Sequence, residues 1–81
     1  MADVTIYSTP TCGYCTMAKD FLSEKGVEYT EVDVSIDQQK AQEMVEKTGQ
    51  MGVPVIIINK DGKEDVLVGF DQVQLTKILG L

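Results

Sequence analysis

The hydrophobic period of this chain switches back and forth between that of a strand and that of a helix, and the order of the switches limits the fold more than anything else. Asp3 to Ser8 alternates, with Val4 and Ile6 on one side and Thr5 and Tyr7 on the other, as a short strand does. Thr9-Pro10-Thr11 breaks it. Residues 13–25 then place Tyr14, Ala18, Phe21, Leu22 and Lys25 along one helical stripe, and Gly26 stops the helix. Val27 to Val34 returns to strand-like alternation. Ser35-Ile36-Asp37-Gln38 holds a possible N-cap at Asp37 and a Ser-x-x-Gln capping box. The helix that follows turns Ala41, Met44, Val45 and Thr48 to one face and stops at Gly49. Val55-Ile56-Ile57-Ile58 is β-branched throughout and short, the pattern of a strand buried on both faces. A turn at Asn59-Lys60-Asp61-Gly62 leads into a returning strand from Glu64 to Val68. Gly69-Phe70 ends it. Asp71, with Gln74 three residues on, opens a last helix whose apolar face is Val73, Leu75, Ile78 and Leu79.

The order β-α-β-α-β-β-α predicts a parallel right-handed crossover followed by an antiparallel hairpin. The compact solution is an α/β fold, a mixed four-stranded sheet with three helices distributed over both faces. At 81 residues one hydrophobic core suffices, so residues 1–81 are expected to form a single domain. The longest apolar run, Val53 to Ile58, is too short to span a bilayer. No basic stretch followed by an apolar one opens the chain, so a cytoplasmic, membrane-free protein is expected.

Seven lysines oppose 13 acidic residues, with no arginine, for a net charge of −6. A nucleic-acid partner would need clustered positive charge, so none is expected. Histidine is absent. That excludes Ser/His/Asp and Cys/His catalysis and any metal site built on imidazole.

Cys12 and Cys15 are the two cysteines. A bridge between them closes too small a loop to constrain the unfolded chain much, so the pair is there for chemistry. The pattern places Cys12 where a strand-loop delivers the chain to a helix N-terminus, with Cys15 almost one turn along. Free backbone N–H groups and a partial charge of roughly +0.5 favour a thiolate at Cys12. Its pKa is expected to fall below the free value of about 8.5, and Cys15 is expected to be less exposed and less acidic. Cys12 then attacks a substrate disulfide, and Cys15 resolves the mixed disulfide. Haem attachment would need a histidine where Thr16 stands. A structural zinc site would need four ligands, which only four thiols shared between two subunits could supply. An inert core pair is the remaining alternative. Val53-Pro54 opens the buried strand, and its local sequence is compatible with an ordinary trans proline.

These residues resemble the glutaredoxins of the thioredoxin superfamily. The likeness runs through Ile6-Tyr7, Thr11-Cys12-Gly13-Tyr14-Cys15, Ala18-Lys19 with Leu22, Lys25-Gly26-Val27, Val53-Pro54 and Gly69-Phe70-Asp71, in the family's order. It implies a thioredoxin fold, a cis Val53-Pro54 bond, Cys12 as nucleophile and Cys15 as resolving thiol. It implies no tightly bound cofactor, with glutathione as a co-substrate. The implied groove comprises Thr9, Thr11, Tyr14, Met51, Val53, Pro54, Gly69, Phe70, Asp71 and Gln72. The Val53 backbone would pair with the tripeptide, Asp71 and Gln72 would receive its γ-glutamyl end, and Tyr14 would form an exposed aromatic wall. Each groove residue also has a structural role open to it: Phe70 can plug the core, Asp71 can cap its helix and Lys19 can be a surface charge.

The chain departs from the family pattern in three places. No lysine stands near Thr9, Met51-Gly52 precede Val53, and Val68-Gly69-Phe70-Asp71-Gln72 holds single Gly and Asp residues where the pattern has pairs. A tripeptide with two carboxylates meets little positive charge here. The implied partners are disulfide-containing proteins, with glutathione or a flavoprotein such as thioredoxin reductase as electron source, and the implied state is a monomer. The alternative is an iron–sulfur carrier, a [2Fe–2S] cluster held between two copies by Cys12 and glutathione thiols. In the family a proline after the first cysteine tends to oppose this, and Gly13 removes that obstacle.

Overall fold

The computed structural model describes residues 3–50 and 52–81. The elements run β1 (Asp3–Ser8), α1 (Gly13–Glu24), β2 (Thr30–Asp33), α2 (Gln38–Thr48), β3 (Val55–Lys60), β4 (Lys63–Val68) and α3 (Gln72–Leu79). The sheet order is β2-β1-β3-β4. β1 and β2 are parallel, with Ile6 opposite Glu31 and Ser8 opposite Asp33. β1 and β3 are antiparallel, as are β3 and β4. The β3–β4 turn sets Asp61 at φ 53° and Gly62 at φ 78°, the doubly positive backbone that matches the twist of a tight hairpin.

Strand alternation divides the core. Val4 and Ile6 of β1 and Ile56 and Ile58 of β3 pack against Ala18, Phe21 and Leu22 of α1 and Leu75 of α3. On the other face, Tyr7, Val55 and Ile57 pack against Met44 of α2. β3 therefore feeds both cores, which is why four consecutive β-branched residues are tolerated there.

Four expectations need correction. β2 begins at Thr30, not Val27. The Val27 N–H instead donates to the Leu22 carbonyl at 2.9 Å, and Val27 and Tyr29 cover the main core rather than joining the ladder. The Ser-x-x-Gln box does not form. Ser35 donates its N–H and hydroxyl to Asp33 Oδ1, and Asp37 alone caps α2, accepting from the Lys40 N–H at 3.0 Å. Val73 and Val45 lie outside the core, Val73 being 70% exposed. Tyr14 also leaves the buried stripe of α1, and Cys15 takes its place beside Ala18, Phe21 and Leu22. The stop at Gly49 holds: its φ is 70° and its N–H returns to the Val45 carbonyl.

Candidate active site

β1 delivers the chain into a turn in which the Cys12 N–H donates to the Thr9 carbonyl at 3.2 Å. Cys12 is the N-cap of α1 in an extended conformation. Its Sγ accepts from the Cys15 N–H at 3.1 Å, taking the place that an Asp or Ser oxygen takes at most helix starts. The Cys12 carbonyl accepts from the Thr16 N–H at 3.2 Å and from its hydroxyl at 3.3 Å. Cys12 is partly exposed, whereas Cys15 is fully buried. The two are joined as a disulfide with their Cα atoms 5.2 Å apart. A disulfide so placed can accept two electrons, and the dithiol that results can give them to another disulfide.

The antiparallel pairing brings the start of β3 and the end of β4 to the same end of the sheet as the end of β1. There the Val53-Pro54 bond is cis, as the family resemblance implied. The Pro54 carbonyl accepts from the Gly69 N–H at 2.8 Å. Gly69 has φ 83°, a conformation that costs a side-chain-bearing residue most. Asp71 caps α3, its Oδ1 accepting from the Gln74 N–H at 3.1 Å. Thus Thr9, Thr11 and Tyr14 on one side, and Val53, Pro54, Gly69, Phe70, Asp71 and Gln72 on the other, share the dithiol's end of the sheet. Tyr14 is 65% exposed. Phe70 is partly buried and meets Phe21 edge-on at 5.9 Å, so its ring serves the core. Met51 lies outside the described residues.

Sequence reading missed one feature beside the dithiol. Lys19, one turn beyond Cys15, reaches Glu31 at 2.7 Å, and the Ser8 hydroxyl donates to the same Glu31 Oε2 at 3.0 Å. Ser8 is 1% exposed. The chain of contacts ties α1 to β2 and to the end of β1. The parallel register, which places Glu31 beside Ile6, was the signal that could have revealed it. The hydrogen bond from Lys19 holds the Glu31 carboxyl below its ordinary range, with Ser8 adding to the effect. Glu31 in turn raises Lys19. A depressed carboxyl contributes stability above its unfolded pKa and loses it as pH falls through the folded one. Glu31 is 45% exposed, so the pair is worth less than about 1 kcal/mol. Glu31→Gln is therefore expected to unfold at lower urea than the native chain at pH 7 and to match it near pH 3. Urea melts at the two pH values check this, and an equal gap at both contradicts it.

Residues 4–62 match the glutaredoxin family model. The chain belongs to the glutaredoxin family. Among its relatives, an uncharacterized glutaredoxin-like 8.6 kDa protein in a rubredoxin operon of Clostridium pasteurianum is 38% identical over 94% of this chain and 96% of its own length. Glutaredoxin 3 of Escherichia coli is 42% identical over 73% of this chain and 71% of its own. Among solved structures, the thioredoxin-like protein BC3987 superposes with a TM-score of 0.81 at 27% identity, covering 93% of this chain and 97% of that one. The sheet and its helices are the thioredoxin fold, the activity of this glutaredoxin is thiol–disulfide oxidoreduction, and the chain carries a Cys12–Cys15 pair.

Among the described residues no group of three or more His, Cys, Asp or Glu converges as a metal site. A [2Fe–2S] cluster takes four ligands. With Cys15 fully buried one copy offers Cys12 alone, so a cluster would need a second copy and thiols from outside the chain. No helix among the described residues is long and apolar enough to cross a membrane.

Proposed function

We propose that this glutaredoxin reduces disulfides in cytoplasmic proteins, and mixed disulfides with glutathione, acting as a monomer without a bound cofactor. The observation that carries the reading is the unequal placement of the two sulfurs, Cys12 at the helix cap and Cys15 buried behind it. The Cys12 thiolate attacks one sulfur of the substrate disulfide, forming a mixed disulfide and releasing the other sulfur as a thiolate. Cys15 gives its proton to that thiolate and attacks Cys12 Sγ. The Cys12–substrate bond breaks, the second substrate sulfur leaves and takes up a proton from solvent, and the Cys12–Cys15 disulfide forms. Two electrons have passed to the substrate. Two more, from glutathione or a flavoprotein reductase, restore the dithiol.

Thr9, Thr11, Tyr14, Met51, Val53, Pro54, Gly69, Phe70, Asp71 and Gln72 are the proposed substrate surface. Within it, the Val53 backbone offers strand-like hydrogen bonds to an extended chain. Thioredoxin reductase is the favoured electron source, because the three departures and the missing arginine leave glutathione's carboxylates without a cation to meet.

NADPH oxidation with a model disulfide separates the two sources. Turnover is expected with thioredoxin reductase and to be at least about tenfold slower, a difference of about 1.4 kcal/mol, with glutathione and its reductase. Turnover with the glutathione system alone would reverse the assignment, and none with either would remove the proposed reaction.

A further inference from the structure

The ladder between β1 and β3 ends where Tyr7 meets Val55. Val53 and Pro54 lie beyond it, and Pro54 has no N–H with which to extend it. The ladder alone therefore does not fix their place against the dithiol. One further restraint is the Val53 side chain, which packs on the core shared by the sheet and Met44 of α2. A second starts at the Pro54 carbonyl, which accepts from the Gly69 N–H at 2.8 Å. Gly69 turns the chain with φ 83°, and the ring of the next residue packs against the main core. There Phe70 meets Phe21 edge-on, with ring centroids 5.9 Å apart and planes at 61°, a favourable geometry for two aromatic quadrupoles. Phe21 is 6% exposed and belongs to the buried stripe of α1 that also holds Cys15. A run of contacts thus leads from the helix that carries the dithiol, through two rings and one hydrogen bond, to the cis-proline.

Resting on the reading that the Val53 backbone receives an extended substrate chain, we propose that Phe70 is a positioning residue for the reaction. Seated on Phe21, it holds Gly69, and through Gly69 the Val53-Pro54 backbone, at the right distance from the Cys12 sulfur. It acts on the substrate through that backbone and not by a contact of its own ring. A substrate held by its main chain must bring its disulfide onto Cys12, and a small misplacement of a bound reactant costs rate steeply. A disulfide with no peptide bonds takes nothing from the Val53 backbone, so its reduction does not depend on Phe70. Removing the ring at either end of the link, Phe70 or Phe21, has the same consequence. A direct substrate contact would not behave so, because Phe21 lies in the core. General support of the fold would not either, because it would serve both kinds of disulfide alike.

The test uses the prereduced full chain and three disulfides: an extended disulfide-bridged peptide, the same peptide N-methylated beside its cysteines, and the disulfide of mercaptoethanol. Phe70→Leu and Phe21→Leu are each expected to slow reduction of the plain peptide at least about threefold, and to leave the mercaptoethanol disulfide within about 1.5-fold of the native rate. On the peptide, the double variant is expected to be no more than about 1.5-fold slower than the slower single one, since independent sites would add. Phe70→Tyr keeps the ring and is expected within about 1.5-fold of the native rate on the peptide. An unchanged peptide rate in both single variants, equal slowing of both kinds of disulfide, additive losses, a loss that Phe70→Tyr retains, or a loss in Phe70→Leu with none in Phe21→Leu would overturn the proposal. If a leucine variant fails to fold, Phe70→Met and Phe21→Met, whose flexible side chains fill irregular gaps, decide in its place. A native chain that prefers the plain peptide to its N-methylated form, with variants that show any of those results, strikes this proposal alone. A native chain that reduces the two peptides at one rate overturns the Val53 reading, and this one with it. Reduction of no disulfide overturns the dithiol reading as well.

Discussion

The Cys15→Ser variant is expected to form a persistent mixed disulfide through Cys12 and to reduce protein disulfides at least about a hundredfold more slowly, a loss of roughly 2.7 kcal/mol of transition-state stabilisation. Cys15 is fully buried and lies one helical turn from Cys12. Its attack on the mixed disulfide is intramolecular, and well-oriented intramolecular groups reach effective concentrations far above those of any thiol in solution. Serine removes that attack and leaves the Cys12 N-cap in place. The intermediate should be visible by mass as protein plus substrate and should disappear on adding an external thiol. Serine also buries a hydroxyl where a weakly polar thiol was, at a cost of about 1–3 kcal/mol if it finds no partner. Cys15→Ala, which carries no such group, gives the same kinetic result if resolution is the role. Unchanged turnover in both variants would exclude Cys15 as the resolving thiol.

The parts of this molecule legible in its sequence are those fixed by local physics. Asp37 and Asp71 announce helix starts because a carboxylate can satisfy an N–H of its own first turn. Asp61-Gly62 announces the hairpin because few residue pairs accept two positive φ values. Val55 to Ile58 could hardly avoid the centre of the sheet. The Cys12–Cys15 spacing on a strand-to-helix junction was enough to name the chemistry. What failed depended on contacts distant in sequence. Apolar spacing gave α3 a face containing Val73, but periodicity does not say which positions another element covers, and Leu75 is buried while Val73 is left exposed. Val27 to Tyr29 alternate like a strand, yet the tie of Val27 to Leu22 holds them off the ladder. Lys19 read as a surface charge because its partner Glu31 is twelve residues away and one strand across. The groove residues came from family resemblance, since nothing local in Gly69-Phe70 reveals that β4 returns to the end where β1 left off.

In the reduced protein, alkylation by iodoacetamide is expected to modify Cys12 well before Cys15, with a pH midpoint below the roughly 8.5 of a free thiol. Two effects oppose each other here. The carboxylates Asp33, Asp37 and Asp71 share the dithiol's end and disfavour another negative charge. They are solvent-exposed or half-exposed, and salt weakens the interactions of exposed charges. The favouring effect is local and directional. The Cys15 N–H points at Cys12 Sγ at 3.1 Å, and a hydrogen bond to a charged group is worth about 1.5–3 kcal/mol. Because that bond is stronger to the thiolate than to the thiol, the donor lowers the midpoint. The helix terminus adds to it in the same direction. The local term wins, so raising the salt should move the midpoint little. A midpoint at the free-thiol value, or faster labelling of Cys15, would show that the helix cap does not hold the reactive sulfur as a thiolate.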